Sequence, residues 1–158
     1  MPKSYMKKIT IIFSIFLLNI FAFLYTKDKD PLHKRIFLTN VVEIKNGTFS
    51  NKSIADELEF KDGKLFSKFL NDKFNINWIK YSIQKDTTYI DSITEADVRC
   101  FEVKALYKND NKEETFVTCK IENEYIQGDI KILKNDKLKK QFEFSGTEKA
   151  TKIKESKK

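Results

Sequence analysis

The chain has 158 residues, of which 34% are charged, and its surplus of Lys and Arg over Asp and Glu gives a formal net charge of +7. This length accommodates one folded domain, and the 13% aromatic content with only four Gly and two Pro excludes a disordered or collagen-like chain. The single histidine, His33, and the two cysteines cannot supply a four-ligand zinc site, and every His-dependent triad would need His33. We therefore assign no catalytic residue, no metal and no cofactor.

An apolar segment from Ile9 to Tyr25 follows a basic start that contains Lys3, Lys7 and Lys8. As a helix the segment would be roughly 25 Å long, close to the hydrocarbon thickness of about 30 Å. We predict a transmembrane anchor over residues 9–25, with the basic residues 1–8 in the cytoplasm and the rest of the chain outside it. Bulky residues at the end of the segment disfavour cleavage, and a cleaved signal peptide that releases an exported domain is the alternative.

The composition divides the remainder into three parts. Residues 26–35 are charged, contain a proline and show no periodicity, which predicts a tether between the membrane and the domain. Residues 36–145 carry the apolar pattern of one compact domain. Residues 146–158 lose that pattern and have five lysines among the last ten residues, which predicts a solvated lysine-rich tail. The preference for Lys over Arg, with abundant Ile and Asn, is typical of an A·T-rich bacterial genome.

Alternating apolar and polar residues dominate the domain and predict β-strands. Polar turn pairs separate the alternating runs, and Asn-Gly is a strong hairpin signal. We expect hairpins at four places: Asn46-Gly47, Lys85-Asp86, Lys108–Lys112 and Asn135-Asp136. The sequence therefore predicts a mainly β fold, an antiparallel meander or small barrel.

Residues 54–71 fit two local structures. The sequence from Ser53 to Asp56 resembles a helix capping box, and apolar residues follow it at helical spacing, which predicts a short helix near Ile54 to Asn71. The Asp62-Gly63 pair inside the same stretch is instead a hairpin turn signal. Both structures stay open; a helix here would make the fold β-rich α+β.

The stretch from Glu57 to Ile83, followed by Cys100 and by residues 125–144, resembles small bacterial envelope β-domains of the META type. Those domains combine a strand, an Asp-Gly turn, an asparagine segment, a strand ending in Tyr-x-Ile, a cysteine and a final Gly-Asp hairpin, an order that lipocalin-like domains share. The family's glycine-cysteine-asparagine core motif is replaced here by Phe69-Leu70-Asn71. The resemblance implies a β-domain architecture and no particular chemistry.

Cys100 and Cys119 lie on the two strands that flank the Lys108–Lys112 turn. A register that places them opposite each other allows a disulfide, and an oxidising exterior would favour it. We therefore predict an intrachain Cys100–Cys119 disulfide. A one-residue slip would instead pair Phe101 with Cys119 and turn Cys100 to the other face, leaving two thiols.

The remaining polar residues give no chemical signal. The loop acids Asp91, Glu95 and Asp97 lack the spacing and central Gly of a calcium loop, so we expect them to be solvated. Glu57 and Glu59 would share a strand face without a converging third group. The near absence of Arg disfavours nucleic-acid binding, since base recognition prefers its planar side chain.

Two functions follow as expectations. The first is an accessory or protein-interaction component of a bacterial envelope assembly, which predicts an exposed apolar patch. The alternative is a calycin-like small-ligand carrier, which predicts a cavity lined by Trp78, Tyr81 and Phe74. In either case the lysine-rich C-terminal end would suit anionic lipid or cell-wall polymer.

Overall fold

The computed structural model describes residues 30–150, which form eight antiparallel strands and one short helix. The strands are β1 (Ile36–Lys45), β2 (Thr48–Lys61), β3 (Lys64–Ser67), β4 (Ile79–Ile90), β5 (Asp97–Lys108), β6 (Glu113–Glu122), β7 (Tyr125–Lys134) and β8 (Lys137–Glu148), and helix α1 (Lys68–Phe74) follows β3. The predicted transmembrane segment, residues 9–25, lies outside the described residues. Within residues 30–150 no helix has the length and apolar character needed to cross a membrane.

Each strand pairs with the next one along the chain, and β8 returns to pair with β1, which closes the sheet into a barrel. The prediction of a mainly β fold with sequential antiparallel strands and one short helix is confirmed. The β3–β4 ladder has the fewest paired residues in the barrel: β3 pairs with β4 only through Lys64 and Leu65. This short strand leaves much of β4 without a neighbour on its β3 side.

Two-residue turns join four of the hairpins, at residues 46–47, 62–63, 123–124 and 135–136. Asn46 and Gly47 both have positive φ, as do Asp62 and Gly63, the geometry that closes tight antiparallel hairpins. For residues 54–71 the sequence left a hairpin and a short helix as alternatives. The structure contains both: the hairpin of β2 and β3 comes first, and α1 begins after Ser67. The capping-box interpretation of Ser53 is wrong, because this residue lies within β2.

The predicted turn at Lys85-Asp86 is also wrong. β4 continues through both residues to Ile90, and the chain turns at residues 91–96. The register with β5 shifts between Ile83 and Lys85, as it does at a β-bulge. An inserted residue reverses the phase of the apolar alternation, and that reversal mimics a turn in the sequence.

The core lies on one face of the sheet and receives side chains from every strand. Phe37 and Phe60 meet edge to face at 5.9 Å, and Phe69 of α1 packs on Phe142 of β8 at 5.0 Å, so the helix extends the core. Leu32 is fully buried in the same cluster. Residues 32–35 therefore belong with the folded part and not with the predicted tether.

The folded domain also ends later than the predicted boundary at residue 145. β8 runs to Glu148, so Gly146 and its neighbours are strand residues and not the start of the predicted tail. Glu148 accepts hydrogen bonds from Arg35 at 2.6 and 3.0 Å, which fastens the strand end to the entry of the chain. Residues 151–158 lie outside the described part.

The disulfide prediction is wrong because neither predicted register occurs. Cys119 faces Val103 across the β5–β6 ladder, and Cys100 faces Glu122. Since side chains alternate along a strand, Cys119 shares the core face with Val103, whereas Cys100 lies on the opposite face. Both cysteines are buried, unbonded thiols.

Candidate functional site

The most exposed apolar side chains of the described residues lie at the end of the β4–β5 hairpin. We call residues 85–99 of this hairpin the arm. Ile93, in its turn, is 90% exposed, Ile90 at the end of β4 is 68% exposed, and Tyr89 is 43% exposed. Because consecutive strand residues point to opposite faces, Tyr89 and Ile90 expose apolar surface on the two faces of the arm, and Ile93 exposes it in the turn; exposed apolar surface of this kind marks contact surfaces.

Local hydrogen bonds hold the arm in a defined shape. The Asp91 carboxylate accepts hydrogen bonds from the backbone N–H groups of Thr94 at 2.7 Å and Ile93 at 2.9 Å, and from the Thr94 hydroxyl at 3.0 Å. These donors stabilise the ionised form and hold the pKa of Asp91 below its ordinary value. The turn that presents Ile93 is therefore ordered by its own polar groups.

The arm is hydrogen-bonded to β6 through Tyr89. The Tyr89 hydroxyl donates a hydrogen bond to Glu122 at 2.6 Å, and this bond raises the pKa of Tyr89. The pKa of Glu122 is lowered, first by its hydrogen bond with Lys120 and then by Tyr89. On the other face of the arm, Arg99 binds Asp86 at 3.0 Å. These contacts fix the direction in which the hairpin leaves the barrel.

Acidic residues surround the apolar tip. Asp91, Glu95 and Asp97 have no ion-pair partner among residues 30–150, whereas the two cations of the arm, Lys85 and Arg99, are paired with carboxylates. Glu95 and Asp97 are exposed, whereas Asp91 is half-buried and bonded within the turn. Residues 30–150 contain no cluster of ligands suited to a metal ion. The tip is thus acidic and apolar in a chain with a net positive charge.

A second feature, which we call the outer groove, crosses the face of the sheet opposite the core. Its volume is about 700 Å³, and it runs from Gln84 of β4 to Phe49 of β2. Charged side chains of both signs line it, among them Glu102, Lys104 and Glu143. A hydrogen bond of 2.7 Å joins Thr118 to Asp129 within it. The outer groove has the size of a ligand site but a surface of exposed, mixed charge.

One carboxylate of the described residues, Asp56, is buried in the core. It accepts hydrogen bonds from the Ser67 hydroxyl at 2.8 Å and from the Phe69 N–H at 2.7 Å, and Ser67 in turn accepts from the Leu70 N–H. Burial raises the pKa of Asp56, and these donors oppose the rise. Its acceptor atoms are occupied in fastening the start of α1 to β2, which is a structural role.

The three aromatic residues of the predicted ligand cavity make three different contacts. Trp78 lies at the surface against Phe66, with ring centroids 5.3 Å apart, and Tyr81 packs on Phe60 at the same distance. Phe74 packs on the core aromatic residues of α1 and β8. Trp78 and Phe74 line neither the outer groove nor the adjoining groove of about 390 Å³ that Tyr81 borders.

Lysines gather at the end of the barrel opposite the arm. This end, which we call the basic end, carries the turns at residues 46–47, 109–112 and 135–136, and a hydrogen bond from Asn135 to the Lys112 carbonyl joins two of them. Residues 131–140 hold five lysines and one aspartate. Lys140 lies over the Phe74 ring at 5.3 Å, while Lys137 and Lys139 are exposed and make no ion pair among residues 30–150.

The other polar residues singled out in the sequence take part in local contacts. His33 lies 3.2 Å from the Asp62 carboxylate beside the β2–β3 turn. Glu57 pairs with Lys149 at 3.0 Å. The arm was missed in the sequence, although the run of Thr87, Thr88, Tyr89 and Ile90, which strongly favours strand, was a signal that β4 continues. Comparisons of the chain with protein-family models, curated proteins and solved structures found no match.

Proposed function

We propose that this chain is a membrane-anchored, extracytoplasmic protein-interaction domain, an accessory component of a bacterial envelope assembly. The anchor rests on the apolar sequence of residues 9–25. The interaction rests on one observation, the apolar tip of the arm, where Ile93 is 90% and Ile90 is 68% exposed. Covering such side chains with a partner removes apolar surface from water, at about 25 cal/mol for each Å².

The positions and hydrogen bonds of the ionisable groups favour binding over catalysis. The buried carboxylate of the described residues, Asp56, is committed to the start of α1. The acids of the arm lie in solvent, and the pKa of Asp91 is shifted downward, away from the range in which a carboxyl group exchanges protons at neutral pH. An enzyme would need a convergent polar cluster that these residues do not form.

The carrier function is the alternative, and the outer groove is the observation that favours it. Its volume of about 700 Å³ suits a small molecule. The groove lies outside the barrel, however, and not among the aromatic residues from which a cavity was predicted. A ligand there would have to be polar, because Glu102, Lys104 and Glu143 line the groove.

The basic end supports a second contact in the same envelope setting. We propose that Lys137 and Lys139, exposed and without ion pairs among residues 30–150, attract anionic lipid headgroups or an anionic cell-wall polymer. This contact would lie at the end of the barrel opposite the arm. The two contacts can therefore be tested with separate variants.

Site-specific photocrosslinking tests the protein-interaction proposal. A photoreactive residue replaces Ile93 in the full chain, expressed in the cells from which it comes, and a matched variant carries the same residue at Leu138 of β8, which is 54% exposed at the basic end. We expect a discrete crosslinked protein from position 93 and none from position 138. In the double variant Ile90→Ser and Ile93→Ser, the photoreactive residue is placed at Tyr125 instead, because position 93 now carries serine. Circular dichroism should show that this double variant folds as the wild type does, because both isoleucines are solvent-exposed.

The same double variant provides the contradicting outcome. If the wild type and the Ile90→Ser, Ile93→Ser variant co-purify with the same proteins from solubilised membranes, the arm does not bind a protein partner. A crosslink pattern that is equal at positions 93 and 138 would contradict the proposal in the same way. Binding of a small polar molecule in the outer groove, lost on Lys104→Glu, would support the carrier function instead.

A further inference from the structure

The outer edge of β4 is an unpaired strand edge. β4 pairs with β3 only through Ile79 and Lys80, and its last backbone bond on that side runs from Tyr81 to Gly63 at 3.1 Å. From residue 82 to Ile90, β4 pairs only with β5 among residues 30–150. The edge exists because β3 ends after four residues and the chain enters α1.

The register shows which backbone groups face outward. The N–H of Asp91 donates to the carbonyl of Ala96 at 2.9 Å, so these two residues form a hydrogen-bonded pair in the register of the β4–β5 ladder. Hydrogen-bonded and non-hydrogen-bonded pairs alternate in antiparallel sheets. Tyr89 and Thr87 therefore bond to β5, whereas the N–H and C=O groups of Asp86, Thr88 and Ile90 point away from it.

The devices that normally protect strand edges are missing from residues 86–90 of this one. Natural edges are blocked by proline, inward charges, bulges or a covering element. The bulge of β4 lies at Gln84, in the unpaired edge but before residues 86–90, and these five residues contain no proline and one charged residue, Asp86, which pairs with Arg99. Threonine, tyrosine and isoleucine fill the other positions, and all three favour extended backbone.

The charge of the arm indicates what would cover the edge. A row of alternating outward N–H and C=O groups is matched by an extended chain, which completes every bond at once. Asp91, Glu95 and Asp97, in the turn that follows β4 and at the start of β5, have no ion-pair partner among residues 30–150. A second copy of the same arm would bring like charges near one another, whereas a strand containing Lys or Arg would be attracted.

We propose that the arm binds an extended, basic segment of a partner protein by β-strand addition to residues 86–90 of β4, with Ile90 and Ile93 covered by the apolar residues of that segment. This inference rests on the proposed protein-interaction function and adds the mode of binding and the chemistry of the partner. It predicts that affinity depends on the backbone of β4 as well as on its side chains.

A pair of variants at Thr88 separates backbone from side-chain effects. Thr88→Pro removes one outward N–H and places a ring on the edge, and proline is tolerated at strand edges where its nitrogen faces solvent. Thr88→Val is the matched control, since it keeps the N–H and favours strand. The probe is a displayed library of random linear peptides, selected against the full chain in mild detergent.

We expect the selected peptides to be enriched in Lys and Arg with alternating β-branched residues. Their affinity for Thr88→Pro should fall about tenfold or more through loss of one backbone hydrogen bond and the added clash, while Thr88→Val binds as the wild type does. In the wild type, bound peptide should slow hydrogen exchange of the Asp86, Thr88 and Ile90 amides and leave Thr87 and Tyr89 unchanged. This measurement remains decisive if Thr88→Pro fails to fold.

Several results would overturn strand addition. They are a selection that yields no peptide above the Thr88→Pro background, peptides of acidic character, uniform protection of the arm amides, or dimerisation of the chain through this edge. If Ile90→Ser with Ile93→Ser abolishes partner crosslinking while Thr88→Pro leaves it intact, the proposed function stands and strand addition fails. If neither variant changes crosslinking, the proposed function itself fails.

Discussion

Cys119 lies on the core face of β6, where burial raises the pKa of its thiol to about 12. Cys100 is 3% exposed on the other face, and burial raises the pKa of its thiol as well. The two sulfur atoms are separated by the sheet itself, because the β5–β6 register places Cys119 opposite Val103. Both cysteines therefore serve as small apolar residues in an unreactive, protonated form.

Thiol counting tests this assignment. The denatured, unreduced protein should show two free thiols, and the native protein at pH 8 should react very slowly at Cys119, since about one thiol in ten thousand is ionised at a pKa of about 12.

Because the unfolded thiol loses its proton at a lower pH than the folded one, stability should fall as the pH rises from about 9 toward 12. Cys119→Ala should remove that contribution. Finding no free thiols would restore the disulfide.

At the scale of the elements, local turn chemistry was predictable and ladder register was not. Asn46-Gly47 and Asn135-Asp136 occupy the expected turns, because their residues adopt positive φ at low cost. The bulge near Gln84 and the β5–β6 register depend on how several strands pack together, and no short sequence pattern encodes that packing. The arm could not be predicted for the same reason, since it exists only because β4 continues past the bulge.

The β8–β1 seam gives a test at this scale. A Cβ added to Gly146 would lie 2.0 Å from the Leu38 carbonyl oxygen and 2.7 Å from the Thr39 Cα, so Gly146→Ala must push β1 and β8 apart. We expect a loss of about 3 kcal/mol in the free energy of unfolding. Urea denaturation of the full chain in detergent measures it.

Gly47→Ala is the control for that substitution. Its added Cβ would meet no atom within 4 Å, although its φ of +77° makes a side chain unfavourable, so we expect a loss of about 1 kcal/mol. If Gly146→Ala costs no more than Gly47→Ala, the two strands are not in close contact at Gly146. A larger loss for Gly146→Ala supports the direct pairing of β8 with β1.

At the scale of the whole molecule, the closed sheet separates two chemically different ends. The arm leaves one end with an acidic, apolar tip, and the lysines of residues 131–140 gather at the other. Alternation in the sequence predicted strands and a lysine-rich segment, but the return of β8 to β1 is a long-range pairing that no local pattern specifies. The separation of charge is therefore a property of the topology.

Among residues 30–150, this separation predicts that anionic polymers bind at the basic end. In the full chain held in neutral-lipid nanodiscs, Lys137→Glu with Lys139→Glu should weaken binding of inorganic polyphosphate, because both lysines are exposed without ion pairs among residues 30–150. Each lysine near an anionic surface contributes about 1 kcal/mol, so losing two should lower the affinity roughly thirtyfold. Raising the salt concentration should reduce the difference through screening.

The matched control reverses two lysines at the opposite end. Lys61 and Lys64 flank the two-residue turn of β2 and β3, as Lys137 flanks that of β7 and β8, and both are exposed. Lys61→Glu with Lys64→Glu makes the same change in net charge beside acidic neighbours such as Asp62. If only net charge matters, the two double variants lose polyphosphate equally, and the basic end is not a binding surface. A loss confined to Lys137 and Lys139 assigns the contact to the basic end, and anionic-lipid nanodiscs then distinguish a headgroup from a soluble polymer.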